Sequence, residues 1–242
     1  MNDRFKETQL KWLLNKGLKP LVPLQRKLNK PYVPWGNETI YIYSIQDYQQ
    51  YKDGKVANYY TNTPTTGFAI LTGIKSGLMV FDLDRHTEEN NGFDYFYNVI
   101  MSKLSEASKR LVWNTFTVNT PNNGRHLYFK YRDGFRGTTT GLFGTGIDIR
   151  TDKAVIVAPF SIRENNKTYN VNDFNSQGLE CPDDLFNLFL EENHRMNQSE
   201  SVGSKPKRNF LPKKQSWITL SKEFKENAYI KSEYKNQLCE TI

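Results

Sequence analysis

The run "LMVFDLD" at residues 78–84 sets the tightest limit on what this chain can fold into. Side chains alternate between the two faces of a strand, so Asp82 and Asp84 share one face with Leu78 and Val80. Met79, Phe81 and Leu83 share the other face, which predicts a strand packed on a core. Two like charges at the end of such a strand repel, and each is costly to desolvate without a cation between them. The pair therefore calls for a metal, a basic partner or bulk water.

Two other stretches repeat the alternation. In "RHLYFK", residues 125–130, His126, Tyr128 and Lys130 lie opposite Leu127 and Phe129. In "GIDIR", residues 146–150, Asp148 and Arg150 lie opposite Ile147 and Ile149. One sheet with helices packed behind it would gather all the reactive groups on its open face. Carboxylate oxygens are the hard ligands that Mg²⁺ and Mn²⁺ prefer, with waters and substrate phosphates completing the shell. Two such ions, roughly 3.5–4 Å apart, activate an attacking oxygen and stabilise a leaving pyrophosphate. Neighbouring cations neutralise triphosphate charge, most of what phosphoryl transfer requires.

The rest of the chain predicts a mixed α+β fold. Residues 3–16 read as an amphipathic helix stopped by Gly17, followed by extended "LKPLVPL" and a short helix capped by Ser44. "GFAILTG" and "GLMVFDLD" are apolar strands joined by a hairpin or tight connection. A single helix is expected over residues 92–110, with Phe93, Phe96 and Tyr97 as core. "NTFTVNT" and "RHLYFKY" form an antiparallel hairpin around "PNNG", and "GIDIRTD" pairs with "AVIVAPF". A helix from Pro182 closes the domain. Residues 1–195 are thus expected to form the main domain, 196–215 a basic flexible linker and 216–242 a helical tail. Lys205, Lys207, Arg208, Lys213 and Lys214 make the linker either a DNA-tracking arm or a plain tether.

A net charge of +7 with 14% aromatic residues favours a polyanionic partner. Cys181 and Cys239 stand in no CxxC and beside no histidine, so no zinc is expected and a reducing cytoplasm fits. "MNDRFKETQLKW" has no apolar segment of the secretory kind and no run reaches membrane length, so a soluble cytoplasmic protein is expected, with no membrane partner.

"LMVFDLD", "GRH" within "TPNNGRHLYFK", and "GIDIR" resemble the three motifs of the archaeo-eukaryotic primase superfamily. The longer run through "TDKAVIVAPFS" is similar to the bifunctional primase–polymerase domain of plasmids and phages, over roughly residues 15 to 190. Single motifs are weak; their order and spacing are specific. The resemblance implies an RRM-like antiparallel catalytic sheet with helices on one face, beside a smaller α/β subdomain. It places metal-binding acids on Asp82, Asp84 and Asp148, and the nucleotide-phosphate histidine on His126. Arg125, Arg150 and Ser161 fall at nucleotide-binding positions. Implied partners are a single-stranded DNA template or primer, nucleoside triphosphates and a separate replicative helicase in a bacterial or archaeal host cell. The chain departs from relatives in Phe160, which replaces a second proline, and in lacking a zinc stem and a phosphate-binding GxxxxGK[ST] loop.

Blander readings stand beside these. Asp82 and Asp84 can be a solvated strand end, and His126 a core histidine. His86 and His194 read as surface residues, and Lys75 and Thr72 as turn residues near phosphate at most. The implied activity is a metal-dependent primase–polymerase; the alternatives are an idle primase-like adaptor that binds nucleic acid, or a two-metal nuclease.

Overall fold

The computed structural model describes residues 3–25, 41–52, 65–88, 90–135, 137–163 and 166–201. Six strands form the larger sheet: β3 (Leu78–Leu83), β4 (Thr117–Asn119), β5 (Arg125–Lys130), β6 (Thr138–Leu142), β7 (Ile147–Arg150) and β9 (Asn170–Val171). Their order is β6-β7-β3-β5-β4-β9, and every pair is antiparallel. Among the central four, β3 lies between β5 and β7 rather than beside β4, the split order of an RRM-like sheet. A smaller antiparallel sheet contains β1 (Leu21–Gln25), β2 (Thr65–Leu71) and β8 (Val155–Val157), with β2 in the middle. The fold is α+β, as the residue pattern predicts.

Alternation along β3 builds two cores. Met79, Phe81 and Leu83 join Leu127, Phe129, Ile147 and Ile149 against the helices. Those helices are α3 (Gly92–Tyr95), which continues as a π turn (Phe96–Ile100) and a 3-10 turn (Met101–Lys103), α4 (Glu106–Asn114) and α5 (Asp183–Ser201). On the other face, Val80, Val118 and Tyr128 pack with Phe68 and Ile70 of β2, and with Leu10 and Leu13 of α1 (Asp3–Asn15). Tyr48 of α2 (Ile45–Lys52) joins this second core. The reactive face, expected from sequence to be open, is therefore covered along most of its length. The smaller sheet and α1 cover it, and only the end carrying the acids is accessible.

Local signals hold where capping chemistry decides. Gly17 ends α1 at φ +76°, and Ser44 Oγ accepts from the Asp47 amide at 3.1 Å. The single helix expected over 92–110 is broken: Leu104 and Ser105 are extended, and Ser105 Oγ accepts from the Ser108 amide to start α4. Helix α5 runs past Arg195 to Ser201, so residues 196–201 are helical rather than linker. The remaining expected linker and tail lie outside the described residues.

The expected pairing of "GIDIRTD" with "AVIVAPF" does not form. Both edges of β7 are occupied, by β3 and β6, so β8 leaves the large sheet and pairs with β2. A strand has only two hydrogen-bonding edges, and β7 has none left. Strands β2 and β3 likewise belong to different sheets, joined by a tight connection. The two crossings are stitched together: the Thr72 hydroxyl donates to Thr151 O at 2.7 Å, and the Ile74 amide donates to Asp152 Oδ1 at 2.9 Å. Among the described residues, no helix is long and apolar enough to cross a membrane.

Candidate active site

Register brings the reactive groups together. Asp82 lies directly opposite His126 on β5 and opposite Asp148 on β7, so three side chains from three strands share one face. Asp84 follows the end of β3, where its backbone is pinned on both sides. Its amide donates to Gly146 O at 2.8 Å, and its carbonyl accepts from the Gly92 amide at 2.9 Å. Neither glycine tolerates a side chain without shifting its neighbours: a Cβ on Gly92 would lie 2.3 Å from Gly146, and one on Gly146 3.0 Å from Asp84 O. Asp148 is aimed by a bulge in β6, where Gly141 at φ +66° donates its amide to Asp148 Oδ1 at 3.0 Å.

One oxygen each from Asp82, Asp84 and Asp148 lie within 4.8 Å of one another. Arg150 bridges two of them, with the same guanidinium nitrogen 2.8 Å from Asp148 Oδ2 and 3.4 Å from Asp82 Oδ2. His126 Nε2 lies 3.4 Å from Asp82 Oδ1, a long contact that leaves this buried oxygen without a hydrogen bond among the described residues. The His126 ring is buried and packs 5.5 Å from Tyr169.

Unlike surroundings separate the three acids. Burial acts to raise Asp82, but His126 and Arg150 outweigh it and hold the carboxyl below its ordinary value. Asp84 is pushed up to about 6, first by burial and then by the Asp82 charge, against the pull of His86 and His126. Burial also raises Asp148, despite the Gly141 amide and Arg150. A cation would relieve both strained carboxyls and complete Asp82 Oδ1. Oxygen donors, spacing and an orphaned buried oxygen together fit a divalent metal ion.

Not every sequence-predicted residue joins this cluster. Arg125 points to the opposite face of β5 from His126. It donates to Asn119 and to the Tyr97 hydroxyl and lies over the Phe93 ring, 5.2 Å from its centroid. Ser161 is buried beside β2 of the smaller sheet. Its hydroxyl donates to Phe68 O and accepts from the Phe68 amide and from Gln9, which occupies it fully. Its carbonyl accepts from the Tyr169 amide, so it bears on His126 only through that ring. Thr72 is spent on the sheet crossing, Lys75 lies over the Tyr41 ring, and Lys130 pairs with Glu180.

The structure adds two contacts not expected from sequence, one from His86 and one from Tyr169. His86 itself is exposed, as its reading as a surface residue expects. His86 Nε2 lies 3.6 Å from Asp84 Oδ2, and its position two residues after Asp84 continues the alternation that could have disclosed it. Tyr169 reaches His126 through the β4–β9 pairing, for which no local signal exists. A cleft of about 630 Å³ opens beside Asp84, lined by Arg85, Arg125 and Lys167 among others.

No curated protein matches the chain. Residues 11–184, well over half the chain, match the Prim-Pol family, described as bifunctional DNA primase/polymerase, N-terminal. That span contains every strand of both sheets and all three clustered carboxylates. The chain belongs to the bifunctional DNA primase/polymerase N-terminal domain family.

Proposed function

We propose that the protein is a nucleotidyltransferase that adds nucleotides to a 3′-hydroxyl on a single-stranded DNA template. The resemblance of its motif set to plasmid and phage relatives supports a role in replicating a mobile element. The observation that carries the reading is the convergence of Asp82, Asp84 and Asp148 within 4.8 Å, with His126 directly opposite Asp82.

Asp82, Asp84 and Asp148 would hold the Mg²⁺ or Mn²⁺ ions. The chemistry such ions would supply there is polarisation of the α-phosphate and easier ionisation of the attacking hydroxyl. Asp82 remains ionised because His126 and Arg150 flank it. His126 and Arg150 place hydrogen-bonding nitrogens beside the acids, and Arg150 adds a fixed positive charge, where the phosphate oxygens of an incoming triphosphate need neutralising. His126 Nδ1 and Arg150 Nε are both buried without a partner among the described residues, which leaves each a bond to make with a ligand or water. The hydroxyl gives its proton to solvent and its oxygen attacks the α-phosphorus in line. The new P–O bond forms as the bond from the α-phosphorus to the oxygen bridging the β-phosphate breaks, and pyrophosphate leaves with that electron pair.

A labelled-nucleotide assay on single-stranded DNA, with and without primer and with Mg²⁺ or Mn²⁺, tests this. Metal-dependent incorporation that is lost in Asp82→Asn is expected. Strand binding without incorporation under any of these conditions would indicate an idle adaptor. Strand degradation in the absence of triphosphates would indicate a nuclease.

A further inference from the structure

The cleft beside Asp84 is not part of the carboxylate cluster, and its chemistry differs. Among the described residues, its lining carries three cations, Arg85, Arg125 and Lys167, and no carboxylate. Two of the cations are held on aromatic rings. The Arg85 guanidinium lies 4.1 Å from the Phe93 centroid, and that of Arg125 lies 5.2 Å from the same ring and 5.4 Å from Tyr97. Arg125 also donates to the Tyr97 hydroxyl at 3.0 Å. Tyr97 stacks on Trp113, with centroids 5.0 Å apart and planes 25° apart, and Trp113 is more than a third exposed. Rings and guanidiniums thus alternate in a row from Trp113 through Tyr97, Arg125 and Phe93 to Arg85, the residue after Asp84.

Among the described residues, the ion pair shown within this row joins Asp94 to Arg85 at 2.7 Å. Arg85 and Arg125 against Asp94 leave an excess of positive charge among the described residues, where Arg85 Nε is buried without a hydrogen-bond partner. The cleft lining also carries the side-chain amides of Asn123 and Asn170, a residue type that can meet base edges or sugar hydroxyls.

We propose that this row is the track for single-stranded nucleic acid, with a base stacked on Trp113 and backbone phosphates on Arg125, Arg85 and Lys167, delivering the strand to Asp84. The inference rests on the polymerase reading and names where that activity takes its template. Aromatic faces interleaved with dispersed cations suit a strand, whose charges are spaced along a backbone. A triphosphate concentrates its charge and needs donors converging at the metal-binding acids, where His126 and Arg150 already stand on the other face of the sheet.

The test measures anisotropy of a fluorescein-labelled oligothymidylate over a series of salt concentrations, without metal or triphosphate. The full chain is compared with Lys167→Glu and Trp113→Ala, both exposed substitutions. Trp113→Ala should weaken binding about tenfold through lost stacking, and Trp113→Phe should restore most of it. Lys167→Glu should flatten the log–log salt slope by at least ~0.7, the share of one single-strand phosphate contact. Triphosphate affinity, measured separately with Mn²⁺, should stay within about twofold, against the tenfold strand effect.

Unchanged strand affinity and slope in both folded variants would overturn the track. So would triphosphate affinity falling as far as strand affinity, because the cleft would then be a nucleotide pocket. Circular dichroism identifies any variant that fails to fold, and Lys167→Ala at the exposed rim then replaces it. Because strand binding is read without catalysis, a wild-type chain that binds the strand but incorporates nothing overturns the polymerase reading alone.

Discussion

Asp84 shows at the residue scale how this site sets stability against function. Its carboxyl is raised to about 6, whereas an unfolded aspartate titrates near ~3.9. The folded state therefore disfavours the ionised form. That penalty is present in full above pH ~6 and disappears as pH falls toward ~4. Asp82 has the opposite sign: its lowered carboxyl contributes stability above the unfolded value, lost as pH falls through its folded value. Without divalent metal, Asp84→Asn should raise stability at pH 7.5 by on the order of 1–2 kcal/mol, given the partial exposure of the side chain. The same change should lower incorporation by more than about 100-fold, the upper end of what even outer partners of a metal site cost. Thermal melts with and without Mg²⁺, alongside a primer-extension assay, check both halves; a metal-free Asp84→Asn protein no more stable than wild type removes the electrostatic account. His126→Ala should weaken triphosphate binding about tenfold or more while leaving oligothymidylate affinity within about twofold, because the strand track lies on the opposite face. Equal losses in the two assays would make the histidine a structural residue.

Among the elements, the two sheets depend on the crossing at Gly73. Its φ is +99°, and a Cβ there would lie 2.5 Å from Asp152 Cα, so both backbone conformation and space exclude a side chain. Gly73→Ala should cost about 2–3 kcal/mol, seen as a shifted urea midpoint with an unchanged slope. A variant as stable as wild type would show that the crossing relaxes freely. The capping residues of these elements were legible in the chain, since Ser44 and Gly17 act on their own neighbours. Ser105 was not, although it caps α4 by the same chemistry. It lies inside a run whose apolar spacing suggests one continuous helix, and part of what holds it extended is remote: its amide donates to Asp184 Oδ2 at the start of α5.

For the whole molecule, charge is distributed unevenly. Residues 202–242 carry nine lysines and arginines against four glutamates, which is five of the seven net positive charges. Both cores lie upstream, within residues 10–189. A chain ending at Ser201 should keep its melting temperature within a few degrees and still extend primers at low salt. Its template affinity should fall less steeply with salt, by about 0.7 in the log–log slope for each phosphate contact removed. Insolubility of the shortened chain would show that the folded unit needs the downstream residues. An unchanged slope would assign the template contacts to the described domain alone.

The sequence by itself determined which residues are strand-borne and which side each faces. Alternation with a period of two is a local property, so Asp82, His126, Asp148 and Arg150 could be grouped before any contact was known. It determined the core faces for the same reason, and Phe81, Leu127 and Ile149 lie where their apolar spacing puts them. Only the tertiary structure decided which strands meet. Backbone edges are chemically alike, so β8 pairs with β2 because β3 and β6 already occupy β7, a fact that no local pattern carries. The same global choice covers most of the reactive face with a second core and brings Tyr169 to His126. It also sets the exposed ring of Trp113 in line with Arg125, because packing joins residues that are distant in sequence and leaves no periodic trace in it.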